Sequence, residues 1–408
     1  MDHESPFDVA VVGAGPAGLI AGLACAESGL RTIVIGPRAD ARDGRTAALL
    51  DGSINLLKRL RVWDRVAQAS EPLLAIRLVD DTGALIRAPE VLFQATEIGL
   101  PAFGYNIPNA SLTAGLEATS HPRLTRLIDD KATVVDLAGP EAVLATSAGQ
   151  TIKARLIVAA DGRESPARTA AGIQTTSWAY AQAAVVTTFT HTRPHAGIST
   201  ELHRQAGPLT VVPGPGMTSS LVWVETQDRA RELAALDDRD FGRALSAHLG
   251  GLLGTLSDFA PRRTFPLSGR TASPLGANRV ALVGEAAHVM PPIGAQGLNL
   301  GFRDAATIAE VAGEASDAGE DIGSAATLAR YDHLRHSDVA FRVFAVDMLN
   351  RSLLSSIPGV HLARGLGLFT LAANRALRAH VMRQGIVPSA ATPALMRPLS
   401  ATGEIAAA

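Results

Sequence analysis

The chain has 408 residues, 47% hydrophobic and 19% charged, which describes a globular protein of two or three domains and excludes a disordered one. Its 37 basic and 39 acidic residues leave a net charge of −2, so the charge balance calls for no nucleic-acid partner. The single cysteine, Cys25, excludes an internal disulfide and a cysteine-based zinc site; it falls in an apolar helical pattern as a small core residue.

The chain opens on a polar, acidic stretch unlike a signal peptide, and no uncharged apolar run is long enough to span a bilayer. A cytoplasmic location is the expectation. Phe7 to Val12 reads as a buried strand, and Gly13-Ala-Gly15-Pro-Ala-Gly18 follows at once. Leu19, Ile20, Leu23 and Ala24 then fall at helical spacing, and Thr32 to Ile35 completes a βαβ unit. In such a unit Gly13 makes the tight turn, Gly15 admits a pyrophosphate, and Gly18 lets helix and strand pack closely. The helix start offers free N–H groups and partial positive charge to phosphates. An acid usually ends the second strand and holds the ribose hydroxyls, but Gly36 stands there. Arg38, a backbone amide, a more exposed ribose or a degenerate site are the competing readings.

Residues 43–49, Asp-Gly-Arg-Thr-Ala-Ala-Leu, precede a helical pattern, and Arg45 is placed to reach a cofactor or to be a surface charge. Leu156 to Ala160 is a fully apolar strand ending in Asp161-Gly162, where open α/β sheets bind ligands. His191 and His195 read as two loop histidines in preference to a metal pair, and no metal site is expected. Val280 to Val283 is a further buried strand, ending in Gly284-Glu285. Pro291, Pro292, Gly294 and Gly297 make a stiff, backbone-rich loop, and a helix follows with Leu298 and Asn299 in its first turn. That helix start can present amide N–H groups to a partly negative ligand oxygen. Gly313 to Gly323 is a loop candidate, and helical patterns dominate beyond residue 325.

Together these motifs resemble the class A FAD-dependent aromatic hydroxylases, above all the UbiH/UbiF-type hydroxylases of ubiquinone biosynthesis. The stretches "DGRTAALLDGSINLLKRLRVWDRV", "GPLTVVPGPGMTSSLVWVE" and "GAQGLNLGFRDA" carry the likeness, which extends over nearly the whole chain. Two departures are Gly36 for the ribose acid and Glu285 for the usual aspartate. The resemblance implies that Gly13, Gly15 and Gly18 hold the FAD pyrophosphate and that Arg45 supports the flavin side. It implies that Asn109 faces FAD, that Asp161 orders the loops at the pyrophosphate, and that Gly284-Glu285 contacts the ribityl–phosphate region. Leu298 and Asn299 would approach the flavin through their backbone. Independently of the resemblance, Arg38 or a backbone group is expected to contact the adenosine end. The Pro292–Gly297 loop would shape the site, and His288 would pack beneath it as a structural residue.

The implied fold is α/β: a Rossmann-like FAD-binding domain, an inserted mainly antiparallel β-sheet substrate domain and a C-terminal helical region. The expected divisions are 1–72, 95–175 and 268–325 for FAD, 73–94 and 176–267 for substrate, and 326–408 for the helices. No protein nucleophile or metal is called for; the flavin would carry the chemistry through a C4a-hydroperoxide formed with O2. NAD(P)H or a protein donor would supply electrons. The implied substrate is a polyprenylated phenol of ubiquinone synthesis. Alternatives are a soluble aromatic compound, a prenyl-chain reductase or a non-catalytic scaffold of a quinone-synthesis complex. Leu353, Leu354, Ile357, Val360, Leu362, Leu366, Leu368 and Phe369, interleaved with Arg351, Arg364, Arg375 and Arg378, suggest either a peripheral contact with the inner membrane or helices packed on the FAD domain.

Overall fold

The computed structural model describes residues 6–40, 43–83, 89–355, 358–386 and 392–399. The first sheet has eight strands. Its centre is five parallel strands in the order Val280–Leu282, Thr151–Ala159, Phe7–Val12, Thr32–Gly36 and Leu124–Ile128. Both faces of a parallel sheet are covered, which is why Phe7–Val12 and Thr32–Gly36 are almost wholly apolar and buried. Ala142–Thr146 and Ala132–Asp136 extend this sheet in antiparallel fashion. The helices Pro16–Glu27 and Gln296–Asp317 pack against each other. Cys25 is fully buried in the first helix, and burial pushes its thiol up to about 12.

A second sheet of nine strands is antiparallel except where Ile198–His203 runs parallel to Ala75–Asp80. Phe189, Leu221 and Trp223 pack one of its faces onto Phe241 and Leu245 of the helix Asp238–Leu249. A small sheet of Thr46–Leu50, Gly104–Pro108 and Glu71–Pro72 links the two large ones. There the Thr46 hydroxyl donates to Ser220 Oγ at 2.9 Å and Asn106 Nδ2 to the Pro213 carbonyl at 2.8 Å.

The expected loop over 313–323 begins later. The Gln296–Asp317 helix runs through Gly313, where a Cβ would stand 3.1 Å from the Ser28 Cβ. That glycine serves close packing with the end of the first helix and does not mark a turn. Three helices follow, Ala325–Leu354, Pro358–Ala373 and Arg375–Ile386. Leu353 and Leu368 are buried and Arg378 bonds Glu97 at 2.7 Å, so these three do not belong to a free surface. Leu354, Leu366 and Phe369 are exposed. Ile357 lies outside the described residues, as do the side chains of Val360, Leu362 and Arg364.

Candidate FAD and substrate site

The three glycines divide their work. A Cβ on Gly13 would lie 2.2 Å from the Ala160 carbonyl oxygen, and one on Gly18 would lie 1.9 Å from the Gly13 carbonyl oxygen. Both positions exist to let backbones touch, and Gly13 also holds φ +115°. A Cβ on Gly15 meets nothing within 4 Å. The open space is therefore at Gly15, the residue that caps the first helix without a side-chain hydrogen bond. An uncapped helix start facing open space fits a pyrophosphate. Asp161 closes one side: its Oδ2 accepts from the Ala167 amide at 3.0 Å, while its buried Oδ1 has no protein partner. Burial raises its carboxyl pKa despite the bonds from Ser165 and Ala167.

Gly36 is a packing residue too. A Cβ there would lie 2.4 Å from the Ala14 nitrogen. The end of the second strand thus presses on the phosphate loop, and no acid fits without moving that loop. Arg38 is engaged by protein: it bonds Glu117 and lies 3.6 Å from Asp129.

Around Arg45 the structure gathers residues from three segments. Arg45 Nε and NH2 each donate to the Asp43 carboxylate at 2.8 Å, and Asn109 Nδ2 donates to Asp43 Oδ2 at 3.0 Å. Burial opposes the charge on Asp43, but these bonds outweigh it and bring its pKa down from 3.8 to about 2. The guanidinium also lies over the Phe265 ring, 5.3 Å from its centroid. Asn109 Oδ1 is buried without a partner. Asp43 is the hub of this cluster, and its only signal in the sequence is an acid two residues before an arginine.

The helix Gln296–Asp317 starts from Ala295 at φ 55° with no side-chain cap. Pro292 and Gly297 are exposed, Leu298 is half-buried, and a Cβ on Gly297 would meet nothing within 4 Å. Asn299 locks this start in place. Its Oδ1 accepts from the Leu50 amide at 2.8 Å and from Ser53 Oγ at 2.7 Å. Its Nδ2 donates to the Ala48 and Ala295 carbonyls at 2.8 and 2.6 Å. With its side chain fully used by protein, the helix start can meet a flavin through backbone N–H groups.

Beneath the loop, His288 Nε2 lies 2.6 Å from Asp304 Oδ2, which also accepts from the Gly284 amide at 3.1 Å. Arg335 Nε donates to Asp304 Oδ1 at 2.9 Å. Burial alone would raise the Asp304 carboxyl; its contacts with His288 and Arg335 hold it below its ordinary value. His288 is thus a brace for the Gly284 turn. Asp338 takes Arg303 at 2.6 Å and both Arg335 and Arg342 at 2.8 Å, and Arg342 reaches Gln296 Oε1 at 2.5 Å. Glu285 is exposed, 3.9 Å from Arg163, and its charge is felt by Arg45.

A cavity of about 310 Å³ lies between residues 43–46 and the second sheet. Thr46, Thr188, Thr190 and Ser220 line it with Asp43 and Arg45, and Arg45 is the one cation among its described lining residues.

A family model described as an FAD binding domain matches residues 6–340. The chain belongs to that family. The FAD-binding chain is 37% identical over 371 residues to "Ubiquinone hydroxylase UbiL" of Rhodospirillum rubrum, covering 88% of this chain and 85% of that protein. It is 30% identical over 383 residues to the "3-demethoxyubiquinol 3-hydroxylase" of Escherichia coli, covering 91% and 96%. Among solved structures it shares the fold of p-nitrophenol 4-monooxygenase PnpA from Pseudomonas putida DLL-E4, with TM-score 0.74, 19% identity and coverage of 93% and 97%. The FAD-binding chain is a class A FAD-dependent monooxygenase acting on aromatic or phenolic substrates. The open cradle at Gly15, the two uncapped helix starts, and the unpartnered oxygens of Asp161 and Asn109 fit FAD.

Proposed function

We propose that this monooxygenase hydroxylates a polyprenylated phenol of ubiquinone biosynthesis. The observation that carries the reading is the lining of the cavity. An aromatic acid needs a cation for its carboxylate, but the one cation there, Arg45, is held by both oxygens of Asp43. The remaining polar groups are mostly threonine and serine hydroxyls, suited to a neutral phenol or its methoxy neighbour. Two relatives named for ubiquinone hydroxylation support the same substrate class.

Reduced FAD supplies the oxygen-activating chemistry when bound, with O2 as co-substrate and NAD(P)H or a protein donor as reductant. The chain supplies the rest. The uncapped helix start at Gln296 would offer N–H groups to a partly negative flavin oxygen. Asn299 and the His288–Asp304–Arg335 brace hold that start rigid. The second sheet, which supplies Thr188, Thr190 and Ser220 to the cavity, would shield the reacting groups from water, which otherwise diverts activated oxygen to peroxide.

We also infer a peripheral contact with an anionic membrane surface. Phe341, Phe344, Leu366 and Phe369 are exposed, and residues 348–403 contain six arginines and no Asp or Glu; Arg378 and Arg351 are paired with Glu97 and Asp347, which leaves Arg364, Arg375, Arg383 and Arg397 as the cations for such a surface. Among the described residues no helix is long and apolar enough to cross a membrane. The test of the substrate is a deletion strain. It is expected to lose its quinone and accumulate one under-hydroxylated prenyl phenol; unchanged quinone synthesis overturns the reading.

A further inference from the structure

The ribose end of the cofactor site lacks its usual acid, and Gly36 has no room for one. Gly36 with Arg38 two residues later is also the pattern of a site built for a 2′-phosphate. The surroundings of Arg38 decide against that pattern. The strand Leu124–Ile128 lies beside the second strand, with Ile128 opposite Gly36. The next residue, Asp129, donates its amide to the Gly36 carbonyl at 3.0 Å and takes φ 76°, a conformation few side chains adopt. Its carboxylate remains 67% exposed, 3.6 Å from Arg38 Nε. The other edge of the Arg38 guanidinium bonds Glu117 Oε2, from the helix Asn109–Ala118. Glu117 is largely buried, so it anchors Arg38 from within the protein while Asp129 stays open to a ligand.

We propose that Asp129 replaces the missing strand-end acid: its carboxylate accepts hydrogen bonds from the adenosine ribose hydroxyls of FAD. Arg38 is a positioning residue that holds Asp129 and is itself held by Glu117. With one edge of its guanidinium on Glu117 and the other facing Asp129, Arg38 is not free to take a 2′-phosphate, while the exposed Asp129 carboxylate is an acceptor for free hydroxyls. The acid has moved one strand over because the second strand abuts the phosphate loop.

This inference rests on FAD as the occupant, which the flavin spectrum of the wild-type holoenzyme reads separately. The test uses full-length protein stripped of flavin and titrated with FAD, FMN and FAD analogues lacking the ribose 2′- or 3′-hydroxyl of adenosine. Asp129→Asn is expected to weaken FAD roughly tenfold, the scale of a hydrogen bond to a charged group. It should leave FMN, which has no adenosine, unchanged. At least one deoxy analogue should bind wild-type protein roughly tenfold more weakly than FAD does, and that penalty should shrink in Asp129→Asn. Arg38→Ala should weaken FAD by less. Wild-type FAD affinity in Asp129→Asn, an equal loss of FMN, or an undiminished deoxy penalty would each overturn the proposal.

Discussion

The two ends of the cofactor site are built by different means. The pyrophosphate end is backbone: Gly13 and Gly18 let chains touch, Gly15 leaves a gap, and all three lie within six residues. The flavin end is side chains. Asn299 ties a helix start to the Thr46–Leu50 strand, and His288, Asp304, Arg335, Asp338 and Arg342 form a largely buried chain of ionisable side chains beneath it that ends on the neutral Gln296. A backbone site is set by sterics and tolerates almost nothing at the glycines. A charged network is set by mutual neutralisation and fails when one member is removed.

The largest effect should come from breaking the network. Asp304→Ala leaves His288 and Arg335 buried without their carboxylate and should cost about 3–5 kcal/mol in urea unfolding. A loss under about 1 kcal/mol would show that the two ends do not differ as argued. Next come the glycines, which separate packing from binding. Gly18→Ala forces a 1.9 Å contact and should destabilise even the flavin-free protein by about 2 kcal/mol. Gly15→Ala meets no protein atom, so it should unfold like wild type yet lose FAD affinity about tenfold or more. Equal stability losses in the two variants would erase the distinction.

The Arg45 cluster should respond to pH. Asp43 has its folded pKa lowered from 3.8 to about 2, so its contribution is present above pH 4 or so and is lost as pH falls through that window. Asp43→Asn should flatten stability against acid there; an unchanged slope would mean that the pair adds nothing. The smallest effect belongs to Asn109→Ala, which removes one bond to Asp43 and should cost about 1 kcal/mol by thermal unfolding.

Local pattern made much of this readable. Apolar runs reveal the parallel strands because both faces are covered, and the strand–glycine–helix order reveals the phosphate cradle. The loop before Gln296 was legible for the same reason, since prolines and glycines dictate backbone within a few residues. Asp304 was not legible, because its partners stand 16 and 31 residues away and a buried aspartate has no local signature. Nor was the helix through Gly313, where the glycine serves a neighbour that only packing brings close.

Gly36 divides these two kinds of knowledge. By sequence alone it is a missing acid, and the chain around it is already a dinucleotide-binding βαβ unit, because strand, turn and helix preferences act over short range. Only the tertiary structure decides that the second strand lies against the phosphate loop, that no side chain fits there, and that Asp129 comes from the neighbouring strand with Arg38 and Glu117. Contacts between strands depend on how distant segments pack, and packing is a property of the whole chain.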